Sequence, residues 1–175
     1  RQGTTLAATR SVADLCALNS IIRLMATEKG GELPVEKFSR FKENHLLWEQ
    51  EMNSFNLSES EKEIIRKHLT TSHGICECQE SLMSLIQEPE IAGWNLKQAD
   101  YLRKSIAKKD KKLYEQLTKE FYDNAREKKL SPTITRYFWE VLVKTQAGYS
   151  FCAAHCLAYS LIGLQNINLA YKYPI

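Results

Sequence analysis

Three residues near the C-terminal end have side chains that could bind a metal or attack an electrophile. Cys152, His155 and Cys156 sit on neighbouring turns of one long apolar run. Cys76 and Cys78 add two further thiols. Together they supply enough soft ligands for zinc, yet the C-x-C and C-x-x-H-C spacings differ from the usual two-to-four-residue knuckles. Two cysteines two positions apart on a helix also point in different directions. A thiol nucleophile has less support: His155 faces away from Cys156 along the helix, and no third group orients it. Cysteines on a buried helix are usually small core residues, and a lone histidine on a half-apolar face is usually a hydrogen-bonded one. A zinc-stabilised helical module remains an alternative, and no metal ligands are assigned.

A second stretch carries charge. In "KQADYLRKSIAKKDKK" (97–112), seven cations stand against Asp100 and Asp110, a local balance of +5 in a chain whose total is +3. At helical period Ala99, Leu102 and Ile106 share one face. Lys97, Lys104, Lys108 and Lys111 cluster opposite, Arg103 borders the apolar side, and Lys109 lies off the stripe. One side can pack while the other offers cations to a polyphosphate or nucleic-acid backbone, where each neutralised phosphate releases counterions. A solvated lysine-rich face is the competing reading.

The last helical stretch has two unlike sides. Cys152, His155, Cys156, Tyr159, Gly163, Asn166 and Ala170 form a small, polar face; Leu157, Leu161 and Leu164 lie on the other. The polar face could receive a partner helix, which is the basis of a second alternative, a non-catalytic helical interaction domain.

The elements that must hold these residues read as helices throughout. The chain has 175 residues, 43% hydrophobic and 26% charged, enough for one domain with a real core. Helical periodicity dominates and predicts an all-α fold of about seven helices. Expected stretches are 11–26, 35–55, about 59–69 behind the capping box of Ser58 and Glu61, and 73–87. After these come a helix capped by Asn95 and Gln98, one restarting at Asp110, one opening at Ser131–Pro132, and a final one from about Phe151 to Tyr171. Residues 151–171 lack formal charge, but His155, Ser160, Gln165, Asn166 and Asn168 argue against a membrane span. An odd number of cysteines without an export pattern points to reduced thiols. The chain opens at Arg1 and stops after "YKYP"; both ends look cut, as in an internal fragment.

Taken together, "HGICECQESLM" (73–83), "IAGWNLKQADYLRKSIAKK" (91–109) and "GYSFCAAHCLAYSLIGLQNINLAYKYP" (148–174) resemble the fingers region of C-family replicative DNA polymerases, the bacterial DNA polymerase III alpha subunit type. "DLCALNSIIR" (14–23) resembles the segment entering the fingers from the palm. Cellular members usually have Arg-Pro-Gly where this chain has Arg23-Leu24-Met25, and Asn-Lys-Ser-His where it has Cys152-Ala153-Ala154-His155. "LAYSLIGLQ" and "NLAYKYPI" are closer to phage and prophage polymerases. The division implied is an entry segment over 1–30 and a C-terminally truncated fingers domain over 31–175, part of a larger multidomain polymerase.

The resemblance implies a DNA-directed DNA polymerase, a nucleotidyltransferase acting in the bacterial or phage-infected cytoplasm. Its partners would be dNTPs and template–primer DNA, with a sliding clamp and other replisome proteins reached through absent regions. Catalytic aspartates binding two Mg²⁺ ions would lie in a palm outside this fragment, which itself holds no catalytic residue. By position in the motifs, Arg103, Lys104 and Lys108 are the expected triphosphate or backbone contacts, with Lys109 less central. His155 is the expected donor of one further hydrogen bond, and Arg23 an entry-segment contact. Gln79, Glu80 and Tyr159 are expected supports, with Glu80 a partner for Arg103.

Overall fold

The computed structural model describes residue 9 and residues 11–22, 32–146 and 151–173. Arg23 lies outside the described residues. Among these residues the architecture is all-α, as the periodicity requires, with nine α-helices. They are α1 (Val12–Ile21), α2 (Pro34–Glu43), α3 (His45–Ser54), α4 (Glu59–Leu69), α5 (Gln79–Gln87), α6 (Leu96–Ala107), α7 (Lys111–Glu127), α8 (Pro132–Tyr137) and α9 (Ala153–Lys172). None of the described helices is long and apolar enough to cross a membrane.

Local chemistry sets most boundaries. Ser58 accepts from Glu61 N–H while Glu61 returns a bond to Ser58 N–H, and Asn95 and Gln98 do the same for α6. Asp110 caps α7 through Leu113 N–H. The expected single stretch over 35–55 is divided. Asn44 leaves the helical region, donates its N–H to Arg40 O and caps α3 by accepting from Leu46 N–H. Pro132 takes the first position of α8 as expected, but the Ser131 hydroxyl pairs with Thr133 instead of capping the backbone. α8 then continues into a wider π-helical turn over Phe138–Val143.

The largest departure is at 73–78, expected as the start of a helix. His73 and Gly74 both have positive φ, 49° and 83°, residues 75–77 have no regular structure, and Cys78 is extended just before α5 begins at Gln79. Gly74 is there for space as well: a Cβ would sit 2.6 Å from the Trp48 indole. Cys78 forms an isolated parallel bridge with Phe151. Buried Gln146, just past the π turn, donates its amide to Cys78 O at 2.6 Å and Cys76 O at 3.1 Å. The segment therefore has these carbonyls satisfied without a sheet.

The core runs from Phe38, Trp48 and Met52 through Ile65, Leu82, Leu85 and Trp94 to Leu102, Phe121 and Phe138. Phe121 stacks on Trp139 with centroids 4.6 Å apart. α9 is attached differently. Its buried residues are Cys156 and Ser160, packed on α1. Ser20 Oγ lies 2.6 Å from Cys156 Sγ, and Asn19 donates to Ser160 Oγ at 2.8 Å. Only the narrow strip of Cys156 and Ser160 is buried against α1; Cys152, His155, Tyr159, Asn166 and Ala170, expected on one polar face with Cys156, are exposed. Leu157, Leu161 and Ile162 on the remaining sides are about half exposed (48%, 47% and 51%).

Candidate functional site

Gln79 and Glu80, the first two residues of α5, hold two other helices. Arg103 Nη1 donates to Gln79 Oε1 at 3.2 Å, and Gln79 N–H donates to Phe151 O at 2.8 Å. Glu80 Oε2 accepts the Ala153 N–H at 2.9 Å, at the first residue of α9. A carboxylate there meets the positive end of the helix dipole. Arg103 is therefore the partner of Gln79 and not of Glu80; the cap on α9 takes the carboxylate.

On α6, one partly exposed turn gathers opposite charges. Arg103 donates from Nε (2.8 Å) and Nη2 (2.6 Å) to Asp100 Oδ1, and Lys104 Nζ lies 2.7 Å from Asp100 Oδ2. Lys104 and then Arg103 hold the Asp100 carboxyl below its ordinary range. Lys108 closes the helix and Lys109 follows it in the left-handed conformation (φ 55°). Asp110 N–H reaches back to Ser105 O and Lys109 N–H to Ile106 O, a Schellman closure. Both ammonium groups are exposed and without an ion-pair partner among the described residues. Lys109 instead lines a cleft of about 320 Å³ with Lys111 and Tyr114 at the α6–α7 corner. It stands apart from the Arg103–Lys104 pair, in keeping with its place off the stripe.

His155 is exposed in the first turn of α9. Its ring stands 5.2 Å from Phe151, edge to face, and 4.5 Å from Tyr159. Phe151 is buried, so the imidazole rests on a fixed ring, while Tyr159 is open to solvent. The bracket made by Gln79 and Glu80 thus connects Arg103 on one side with the turn bearing His155 on the other.

The thiols belong to the packing. Burial raises the Cys76 thiol well above its ordinary range, Cys78 to about 12, and Cys156 above its ordinary value as well. None of these three is a thiolate near neutral pH. Cys152 is exposed. Among the described residues, no group of three or more His, Cys, Asp or Glu side chains is placed to hold a metal ion.

Sequence reasoning missed two contributors. Asp100 stands three and four positions before Arg103 and Lys104, a spacing that signals helical ion pairs. Gln146 carried no local signal at all, since its acceptors lie about seventy residues away.

Comparison with known proteins places the chain in a family. The profile of the bacterial DNA polymerase III alpha subunit finger domain matches residues 2–129. A probable DNA polymerase, YorL, of Bacillus subtilis (strain 168) is 37% identical over 164 residues, 94% of this chain and 12% of the relative. The DNA-directed DNA polymerase of Bacillus phage SPbeta matches to the same extent. The DNA polymerase III subunit alpha of Campylobacter jejuni is 34% identical over 110 residues, 63% of this chain and 9% of the relative. The chain thus spans about an eighth or less of the length of these relatives, and it belongs to the finger-domain family of bacterial DNA polymerase III alpha subunits.

Proposed function

We propose that the chain is the part of a phage-type DNA-directed DNA polymerase that grips the incoming dNTP triphosphate and the template–primer backbone. The observation that carries the reading is the bracket of Gln79 and Glu80, which ties cationic Arg103 to the helix start bearing His155. Arg103, Lys104 and Lys108 neutralise phosphate oxygens, with Lys109 at the margin of the surface. His155 donates one hydrogen bond from an imidazole steadied by Phe151, and Tyr159 offers a ring beside it. Such groups lower a phosphoryl-transfer barrier by positioning and by charge, not by covalent chemistry. Residues 1–30, Arg23 included, form the entry from the palm in this reading, and 31–175 the fingers domain.

Among the described residues no group of three or more His, Cys, Asp or Glu side chains is placed to hold a metal ion; the Mg²⁺ ions of this reading would be held by aspartates of the palm. In this reading the palm, the clamp contact and the other replisome contacts lie in other parts of a longer protein working in the cytoplasm.

The test is binding of primer–template DNA and of a dNTP across a salt series. Replacing Arg103, Lys104 and Lys108 together by alanine is expected to weaken binding at least about tenfold and to flatten the salt dependence. Equal binding by the triple variant sinks the reading.

A further inference from the structure

We infer that Asp100 is the site's own counter-anion, holding Arg103 and Lys104 in place and competing with an incoming polyphosphate for them. The inference rests on the reading of this surface as a phosphate-binding one.

One carboxylate serves both cations: Oδ1 takes two Arg103 N–H groups and Oδ2 takes the Lys104 ammonium. Gln79 takes a third Arg103 N–H. A guanidinium has five N–H groups, so two remain for a ligand. The arginine is therefore immobilised without being used up. Asp100, Arg103 and Lys104 are all partly open to solvent, where ion pairs are weak and exchange readily.

This arrangement selects among anions. A single phosphate meets cations already half-neutralised and gains little. A polyphosphate places several oxygens at once on the free N–H groups, on Lys104 and on unpaired Lys108, and displaces the carboxylate. Asp100 is thus a positioning and specificity residue that favours chains of phosphates over isolated ones.

The experiment compares inorganic tripolyphosphate with inorganic phosphate by calorimetry at several salt concentrations. It uses the unaltered chain, Asp100→Asn, Asp100→Glu and the double variant Arg103→Ala/Lys104→Ala. Asp100→Asn is expected to bind tripolyphosphate about three- to fivefold more tightly and to discriminate less against phosphate. Asp100→Glu should behave as the unaltered chain. In the unaltered chain, the Arg103 Nε–H NMR signal should move on tripolyphosphate titration as Asp100 is exchanged for phosphate. Weaker binding by the double variant, with Asp100→Asn unchanged or weaker, overturns the counter-anion role and leaves the phosphate-binding reading standing. A double variant that binds normally overturns both. An unmoved Arg103 signal at saturation also rejects the exchange.

Discussion

Glu80 on α5 accepts the backbone N–H of Ala153, the first residue of α9, at 2.9 Å across 73 positions of sequence. Its neighbour Gln79 holds Arg103 on α6. Two adjacent side chains therefore set the start of α9 and the cationic turn of α6 relative to one another. Without them the start of α9 would still be tied to α5 by the Gln79 N–H bond to Phe151 O and the Cys78–Phe151 bridge, but α9 would lose its carboxylate cap and Arg103 its amide acceptor.

Glu80→Ala should loosen α9 at its first turn. Loss of a cap at a helix N-terminus costs about 1 kcal/mol. A denaturant midpoint gives the cost, and faster amide exchange at Ala153 locates it. A change confined to α6 would contradict the role assigned to Glu80.

Gly74→Ala should be much more damaging. The new Cβ would enter the Trp48 ring at a backbone position with φ 83°. Overpacking and left-handed strain each cost on the order of 1–3 kcal/mol. Chemical unfolding should show a loss within or above that range.

Gln146→Leu should destabilise the chain by about 2–3 kcal/mol, because the carbonyls of Cys76 and Cys78 lose a buried donor. The displacement should propagate to Gln79 and, under the proposed function, weaken DNA binding. Wild-type stability in this variant would show that water replaces the amide without loss.

Stability should fall as pH drops from about 7 toward 5, and His73 should account for the slope. Burial lowers its pKa; the Asp14 carboxylate opposes that shift, while His45 and Lys42 add to it. The folded pKa lies below the unfolded value of about 6.5. The neutral ring's contribution is therefore present above the unfolded value and lost as pH falls through the folded one. His73→Asn tolerates the positive φ and should flatten the profile of urea midpoints measured between pH 7.5 and 5.

A thiol reagent at pH 8 should modify Cys152 quickly in the folded chain. Cys76, Cys78 and Cys156 should react only on unfolding, since burial keeps all three protonated. Fast reaction at Cys78 would argue for an open segment at 73–78.

Helix identity, capping and the cationic stripe follow from spacing along the chain. Ser58 bonds Glu61, Asn95 bonds Gln98, and Lys104 and Lys108 fall on one helix face, all within a few residues, so the linear order determines them. Sequence reading failed where the partner was distant. It took 73–78 as helix because nothing local reveals Gln146 waiting for the Cys76 and Cys78 carbonyls. It did not place Ser160 on the packed strip of α9, because nothing local reveals Asn19 of α1 donating to it. It gave Arg103 to Glu80 because both charges were legible, while the competing acceptor site at Ala153 N–H exists only once α9 has been brought to α5. Local sequence determined which groups this protein carries. Tertiary packing decided which met, because a hydrogen bond selects by distance in space, not by separation along the chain.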